Sequence, residues 1–552
     1  MKKKLRVGLL LDSFYVDAWQ YRMIEQVINQ GCSNIVLAVI NAKSKSKKTI
    51  ISELRKKSHK IIYFLYSRFD RLFFKQSPDA FAKKNLKELI SDVSVINVVP
   101  EQKKFADYIN ETDLKTIKES EVDILVRIGF RILKGEILTI ARYGVWSYHH
   151  GDNKKNRGGP PGFWETVYNW DVTGCILQIL NETLDGGIVI YRSYSRTDKV
   201  SVERNKNNYF WKSASFLSRA IRRLHLLGEE EFFEQVKSIN NGLDFYSGKI
   251  FKTPKNLHAL YVVAKQAYKI IGWAISKILF VNQWFLLFLL GKKESLGFYK
   301  FKKIIPPKDR FWADPFVVEK DEKYFVFIEE FPYRTNKGHI SVFDMTTKGA
   351  YTRPIKVLER PYHLSYPFVF WHDKKFYMVP ESNDNNTIEL YECVDFPYKW
   401  EHKTNLMEGV SAADTTLFFY EKKWWLFTEI EENQGSNHDD ELFLYYSDSL
   451  FSKNWVSHPA NPVVSDVRSA RPAGKIFERD GILYRPSQDC SKCYGYGLNM
   501  NKITVLTEKK YEEKMVSYAH PKWSTEALGV HSFTYEKGLT MIDAFRRRLR
   551  IF

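Results

Sequence analysis

Cysteine is scarce. The chain has five in 552 residues, too few for a disulfide-stapled scaffold. Cys490 and Cys493 form one CxxC pair, but no second pair with metal-ligand spacing accompanies it, so no metal site is expected. Long apolar runs are also missing. The longest uncharged apolar stretch, Ile278–Leu290, has 13 residues, short of the ~20 that a membrane-spanning helix needs. The N-terminal MKKKLRVGLLLDS turns polar at Asp12, which reads as a first strand and not a signal peptide. A cytoplasmic protein is expected, with any membrane contact peripheral, at the inner face of the plasma membrane. Acidic residues are in deficit: Lys plus Arg number 84 and Asp plus Glu 65, a net charge of +19. That balance favours anionic partners. The basic residues are spread out, with small clusters only at Lys43–Lys48 and Arg546–Arg550, so nucleic acid is not an expected partner.

Hydrophobic residues at 44% and charged residues at 27% exclude wholesale disorder. Aromatics reach 15% and concentrate after residue 280, so the two halves are built differently. Residues 1–200 alternate apolar runs (LRVGLLL, NIVLAVI, VSVINVV, DILVRIG, GVWSYH) with longer helical stretches. Continuous apolar runs between helices are the signature of a buried parallel sheet. A doubly wound, Rossmann-type α/β domain is predicted over 1–200, with its site at the carboxyl ends of the strands. Residues 201–281 read as a helical connector. One helix is predicted over 208–228, with Phe210, Ala214, Leu217, Ile221, Leu224 and Leu227 on one face and Gly228 ending it. A second runs from Leu257 to Phe280 after Pro254, with His258, Lys265, Lys269 and Lys277 as a narrow polar stripe. The stripe fits an interfacial helix on anionic lipid. It equally fits a helix wedged between domains with its lysines at the solvent edge.

After residue 290 a weak repeat appears, and such repeats decide architecture. Its openings are Ala-Asp314-Pro, Ser-Tyr366-Pro, Ala-Asp414-Thr, Ala-Arg471-Pro and Val-His531-Ser, spaced by 52, 48, 57 and 60 residues. An apolar strand, a polar turn and a second strand follow each opening. About 50 residues suffice for one four-stranded propeller blade. An all-β five-bladed propeller is therefore expected over 282–552, with the strand around Gln283–Phe288 closing the ring against the last blade.

The chemistry-bearing stretch of the first half is SYHHGDNKKNRGGPPGFWE at 147–165, followed by TGCILQILNETLDGGIVI at 173–190. His149 ends a strand, and Asp185 lies 36 residues further on in a turn. A His oriented by a carboxylate can take a proton from an amine. Gly186 and Gly187 let a substrate approach the backbone closely. In register with His149 stand Arg157, Gly158, Pro161, Thr173, Gly174, Leu184, Asp185 and Gly187. This pattern over residues 1–195 resembles the 10-formyltetrahydrofolate-dependent formyltransferases. The resemblance implies that His149 accepts the amine proton and Asp185 orients it. Ser147 stands where the family has an oxyanion-binding Asn, and either Ser147 or a neighbour such as His150 takes that role. Ile128, Gly129, Phe130 and Leu133, with Gly186 and Gly187, line the pocket of 10-formyltetrahydrofolate, the formyl donor. Arg157 contacts the substrate. The SLLP element of the family is replaced by HGDNKK.

Residues 282–552 resemble the five-bladed propeller glycosidases, with Asp314 and Asp414 matching their two aspartates. Arg471 stands where their acid Glu is expected, and an Arg cannot act as a general acid. Glu381 and Glu429 are alternative acids. The closer resemblance is to the non-hydrolytic propeller at the front of plant glucosamine inositolphosphorylceramide transferases. Asp314, Tyr366, Asp414, Arg471 and His531 are then candidate binders of a sugar, or residues that pair and hold the blades together. The expected activity is formyl transfer to a primary amine of an amino sugar, sugar nucleotide or glycan precursor, in cell-surface polysaccharide synthesis. A glycosidase, or a glycan-binding protein with a vestigial formyltransferase domain, is the alternative. The sequence carries no signal for the oligomeric state.

Overall fold

Each apolar run of the first 200 residues becomes a strand, and in the first of them alternate side chains enter opposite cores. In the computed structural model, which describes residues 2–43, 58–183, 186–242, 246, 248–291 and 298–550, Leu9 and Leu11 belong to one apolar cluster and Leu10 to another. The strands are β1 (Leu5–Leu11), β2 (Ser33–Asn41), β3 (Ser94–Val98), β4 (Ile124–Arg127), β5 (Val145–His149), β6 (Val172–Ile179) and β7 (Ile188–Arg196). They form one sheet in the order β7-β6-β5-β4-β1-β2-β3. β3, β2, β1, β4 and β5 run parallel, and β6 and β7 are antiparallel additions. Helices cover the parallel strands, which is why these run apolar on both faces.

The chain divides into two compact units. One is Met1–Ile270 with Glu432–Asn437, and the other is Ile271–Glu431 with His438–Phe552. In the first, the helices Val202–Ser213, Phe216–Leu227 and Glu229–Ile239 share a core with the sheet: Phe210, Leu217, Ile221 and Phe232 pack in the same cluster as Leu9 and Trp146. Fully burying each such side chain contributes on the order of 1.5–3 kcal/mol.

The single helix predicted over 208–228 is two. The first begins at Val202, where the Ser201 hydroxyl caps it by accepting the Arg204 N–H. It breaks at Ser213-Ala214-Ser215. There the Ser213 hydroxyl donates to the Phe210 carbonyl at 2.8 Å and the Ser218 hydroxyl to the Ser215 carbonyl at 3.0 Å, local bonds that compete with the helical ladder. Gly228 ends the second helix, with a left-handed φ of +88°. The last helix runs Asn256–Leu279, and the apolar run after it is a strand, Phe280–Leu290.

Among the described residues the second unit contains five four-stranded antiparallel sheets. Phe280–Leu290 pairs with Leu539–Leu549 along its whole length, from Phe280 against Leu549 to Leu290 against Leu539. In every sheet one hairpin has the same turn. Both central residues have positive φ at Asp321-Glu322 (52°, 60°), Asp373-Lys374 (44°, 63°), Glu421-Lys422 (48°, 64°), Asp480-Gly481 (52°, 72°) and Lys537-Gly538 (38°, 96°). That is the type I′ pattern, whose twist matches that of the flanking strands. The first strands of three sheets also carry a bulge, between Ala313 and Phe316, Ser365 and Phe368, and Ala413 and Thr416. Asp314, Tyr366 and Asp414 sit in these bulges with φ of 49°, 44° and 49°.

Candidate active site and a buried polar network

His149 ends β5, at the carboxyl end of the parallel strands. Its Nε2 lies 2.9 Å from the Asn156 carbonyl oxygen. A carbonyl only accepts, so Nε2 is the donor of this hydrogen bond. The Asn156 side-chain amide in turn donates to Glu165 Oε1 at 2.7 Å. Glu165 is buried on the short helix Phe163–Tyr168, and burial pushes its carboxyl up to about 7. A Cβ on Gly151 would stand 3.0 Å from His149 Nε2 and 3.2 Å from the Asn156 oxygen, so a side chain there would press on this hydrogen bond. Arg192 of β7 holds the same loop, donating to Asp152 Oδ1 at 2.8 Å and Asn153 Oδ1 at 2.9 Å.

Beside His149 is a cavity of roughly 90 Å³, bordered by Arg127, Ile132, Leu133, Gln178, Leu180 and His149 itself. Two residues from separate predicted groups, Leu133 and His149, thus meet at one space. Ser147 is placed differently. It is 1% exposed, and its hydroxyl accepts the Arg127 Nε–H at 3.0 Å. Arg127 Nη1 donates to the Arg131 carbonyl at 2.9 Å. Arg127 borders the cavity, and Ser147 is not among the residues that line it. Sequence reading passed over Arg127, although a charged residue closing the buried strand ILVR was a signal.

The other predicted residues of this site have local tasks. Ile128 and Gly129 donate their N–H groups to the Leu10 carbonyl at 3.0 and 2.8 Å. Phe130 N–H donates to Asp12 Oδ1 at 2.9 Å, and its ring is buried. A Cβ on Gly129 would stand 2.2 Å from the Asp12 nitrogen. These three residues tie the loop to the end of β1. Arg157 Nε donates to the Asn153 carbonyl at 2.9 Å, and its guanidinium lies 4.3 Å from the centre of the Tyr246 ring. The Gly186 carbonyl accepts from Asn181 Nδ2 at 2.8 Å, and a Cβ on Gly187 would stand 2.4 Å from the Ile179 oxygen. Asp185 lies outside the described residues.

In the second unit the five repeat openings meet in one buried network. Asp314 Oδ2 accepts the Tyr366 N–H at 3.2 Å, and His531 Nε2 lies 3.5 Å from Asp314 Oδ1. The Tyr366 hydroxyl accepts the Gly474 N–H at 2.8 Å. Arg471 Nε donates to Asp414 Oδ2 at 2.6 Å, and Gln488 Nε2 donates to the same oxygen at 2.8 Å. Sequence reading missed Asp543. Its Oδ1 lies 2.7 Å from His531 Nδ1 and its Oδ2 accepts the Asp314 N–H at 2.9 Å. Burial raises the Asp314 carboxyl well above the carboxylate range, with His531 opposing. Burial likewise lifts Asp414 to about 7, against the pull of Arg471, and Glu429 to about 8, against His438. Neither Glu429 carboxylate oxygen accepts a hydrogen bond among the described residues. No metal was expected, yet Asp314, His531 and Asp543 form a group with the right donor atoms, all within 4.8 Å of one another. The hydrogen bonds that Asp543 already accepts account for this grouping without an ion.

The sheet order and the His149 cavity define the first unit as an α/β domain with a histidine-bearing cavity at the carboxyl end of its parallel strands. The chain is also similar to known transferases. The model of the family described as "Glucosamine inositolphosphorylceramide transferase 1, N-terminal" matches residues 304–528. Glucosamine inositolphosphorylceramide transferase 1 of Oryza sativa subsp. japonica is 35% identical over 210 residues, covering 38% of this chain and 28% of the rice protein. The match thus spans well under two thirds of that relative's length. Methionyl-tRNA formyltransferase of Prochlorococcus marinus (strain MIT 9515) is 24% identical over 196 residues, covering 31% of this chain and 57% of that protein. Among solved structures, glycinamide ribonucleotide transformylase 1 from Symbiobacterium toebii aligns at a TM-score of 0.28 and 13% identity, over 40% of this chain and 88% of that one.

Proposed function

We propose that the first unit transfers a formyl group from 10-formyltetrahydrofolate to a primary amine of an amino sugar, sugar nucleotide or glycan precursor, in cell-surface polysaccharide synthesis. The observation that carries this reading is His149. It stands at the carboxyl end of β5 with Nε2 donating to the Asn156 carbonyl, beside the cavity that Leu133 and Arg127 also border. The donor set fits a folate's reactive end: Ile132, Leu133 and Leu180 offer an apolar wall, and Gln178 and Asn181 offer amide groups. Bound there, the folate supplies a formyl group ready for transfer to nitrogen. The His149 imidazole accepts the proton that the attacking amine must lose, a step worth ~10²–10⁴ in rate. The Arg127 guanidinium faces the negative charge that develops on the formyl oxygen.

The five sheets of the second unit are read as the blades of a five-bladed propeller, proposed to recognise the glycan. Asp314, Tyr366, Asp414, Arg471 and His531 frame its centre. Asp414 already accepts from both Arg471 and Gln488, which counts against it as a hydrolytic carboxylate.

The test is full-length protein with 10-formyltetrahydrofolate and a panel of amino-sugar nucleotides, followed by tetrahydrofolate release and product mass. His149→Ala is expected to lose at least a hundredfold in turnover while calorimetry still detects folate binding. Undiminished turnover in that variant would remove His149 from the chemistry. If millimolar folate does not bind the wild type, the domain is vestigial and the glycan-binding alternative stands.

A further inference from the structure

Two helices of the first unit turn apolar faces to the outside. On Ile61–Phe74, Tyr66 and Asp70 point inward and are buried. The opposite stripe, at the i, i+3, i+4 spacing of one helical face, is Ile61, Leu65, Phe69 and Leu72, flanked by Phe64 and Phe73. Leu65, Leu72 and Phe73 are 62%, 70% and 72% exposed. The helix that starts at Asn256 repeats the arrangement. Ala259, Val262 and Gln266 face inward, and Leu257, Leu260, Tyr261 and Tyr268 are exposed.

The two helices rest on one support. Tyr66 and Val262 belong to one apolar cluster with Phe163 and Trp164, so both helices press their inner faces on it. Asn256 ties their N-terminal ends together: its Oδ1 accepts the Ile62 N–H at 3.3 Å and its Nδ2 donates to the Ser58 carbonyl at 2.8 Å. Exposed apolar stripes of this kind mark interaction sites.

The charges left to face outward from these stripes are basic. Lys60 and Arg68 flank the first helix and Lys255 and Lys265 the second, whereas Arg71 pairs with Asp79 and Glu203, Lys75 pairs with Asp79 at 3.3 Å, and Lys269 donates to the Thr166 carbonyl at 2.9 Å. The only acid on Ile61–Phe74 is Asp70, which is buried, and residues 256–279 contain none. Lysine stems can lie along an apolar surface while their ammonium groups reach lipid phosphates. No helix among the described residues is long and apolar enough to cross a membrane. Apolar stripes flanked by Lys60, Arg68, Lys255 and Lys265 are complementary to an anionic bilayer surface.

We propose that helices Ile61–Phe74 and Asn256–Ile270 together form a docking face that lays the first unit on an anionic membrane. Sequence reading pointed to the second helix alone. The first helix supplies most of the large apolar side chains. This proposal stands independently of the formyl-transfer reading, because it concerns a surface and not the His149 cavity.

The experiment is vesicle co-sedimentation of the full-length protein with phosphatidylcholine vesicles and with vesicles holding 30% phosphatidylglycerol. Binding is expected to the anionic vesicles, at least tenfold stronger than to neutral ones, and weakening as salt is raised. The exposed substitutions Leu65→Glu, Leu72→Glu and Tyr261→Glu, combined, are expected to cut it at least tenfold with an unchanged circular dichroism melt. If that variant unfolds, Arg68→Gln with Lys255→Gln replaces it, with a severalfold loss expected. Wild type that stays in the supernatant with anionic vesicles overturns the proposal. So does equal binding by the variants. A dimer in solution that the glutamates convert to monomer, without vesicle binding, assigns the face to a second copy of this chain instead.

Discussion

At the scale of single residues, His149 works only through its neighbours. The Asn156 carbonyl accepts from its Nε2, and Glu165 fixes Asn156. The position of His149 at the end of a strand was legible, because the apolar run GVWSY leads directly into it. What Ser147 does was not legible, because a side chain's partner is set by the strand beside it. Ser147 pairs across the sheet with Arg127, whose guanidinium takes the hydroxyl, and Arg127 borders the cavity. Arg127→Met is therefore expected to lower kcat by ~10²–10³, the cost of losing one charge-stabilising donor. Ser147→Ala, which removes only a support for that guanidinium, is expected to cost less than about tenfold. Steady-state kinetics of the two variants decide the matter, and the reverse order of effects would return the oxyanion role to Ser147.

At the scale of elements, the five hairpins show how turn geometry outranks residue preference. Type I′ turns favour Asn, Asp and Gly, because both central residues need positive φ. Here Glu421-Lys422 and Asp373-Lys374 adopt it all the same, held by the strands on either side. A non-glycine residue in this region carries strain of roughly 1 kcal/mol. Lys422 is exposed, so Lys422→Gly is expected to raise the stability of its unit by about 0.5 kcal/mol after the entropy cost of glycine. Gly481→Ala, at φ +72°, should lower it by about 1 kcal/mol. Urea unfolding monitored by tryptophan fluorescence measures both, and a loss of stability in Lys422→Gly would contradict the turn assignment. The 208–228 helix failed as a single element for the opposite reason. Its apolar period is continuous, but two serines divert the backbone.

At the scale of the whole molecule, buried carboxyl groups make stability depend on pH. Burial lifts Glu165 to about 7, Asp414 to about 7 and Glu429 to about 8. A carboxyl raised in the folded state keeps a proton that the unfolded chain has released. Its contribution is complete below the unfolded value near 4 and is lost as pH rises through the folded value. The apparent melting temperature is accordingly expected to fall between pH 5 and pH 9. Glu429→Gln keeps the shape and removes one titration, so it should flatten the part of that fall above pH 7. Scanning fluorimetry across the range tests this, and a melting temperature that climbs with pH would refute it.

The sequence by itself determined the local grammar. Apolar runs marked the strands of the parallel sheet, the repeat marked five hairpins, and the glycine and histidine spacings marked the formyltransferase-like loop. These features depend on neighbours along the chain, and period, turn and spacing record them directly. The tertiary structure alone decided which distant residues meet. It set Arg127 against Ser147, Asp543 beneath His531, and Ile61–Phe74 beside Asn256. Such meetings depend on sheet order and on packing against a shared core, where a one-residue change of register exchanges every partner.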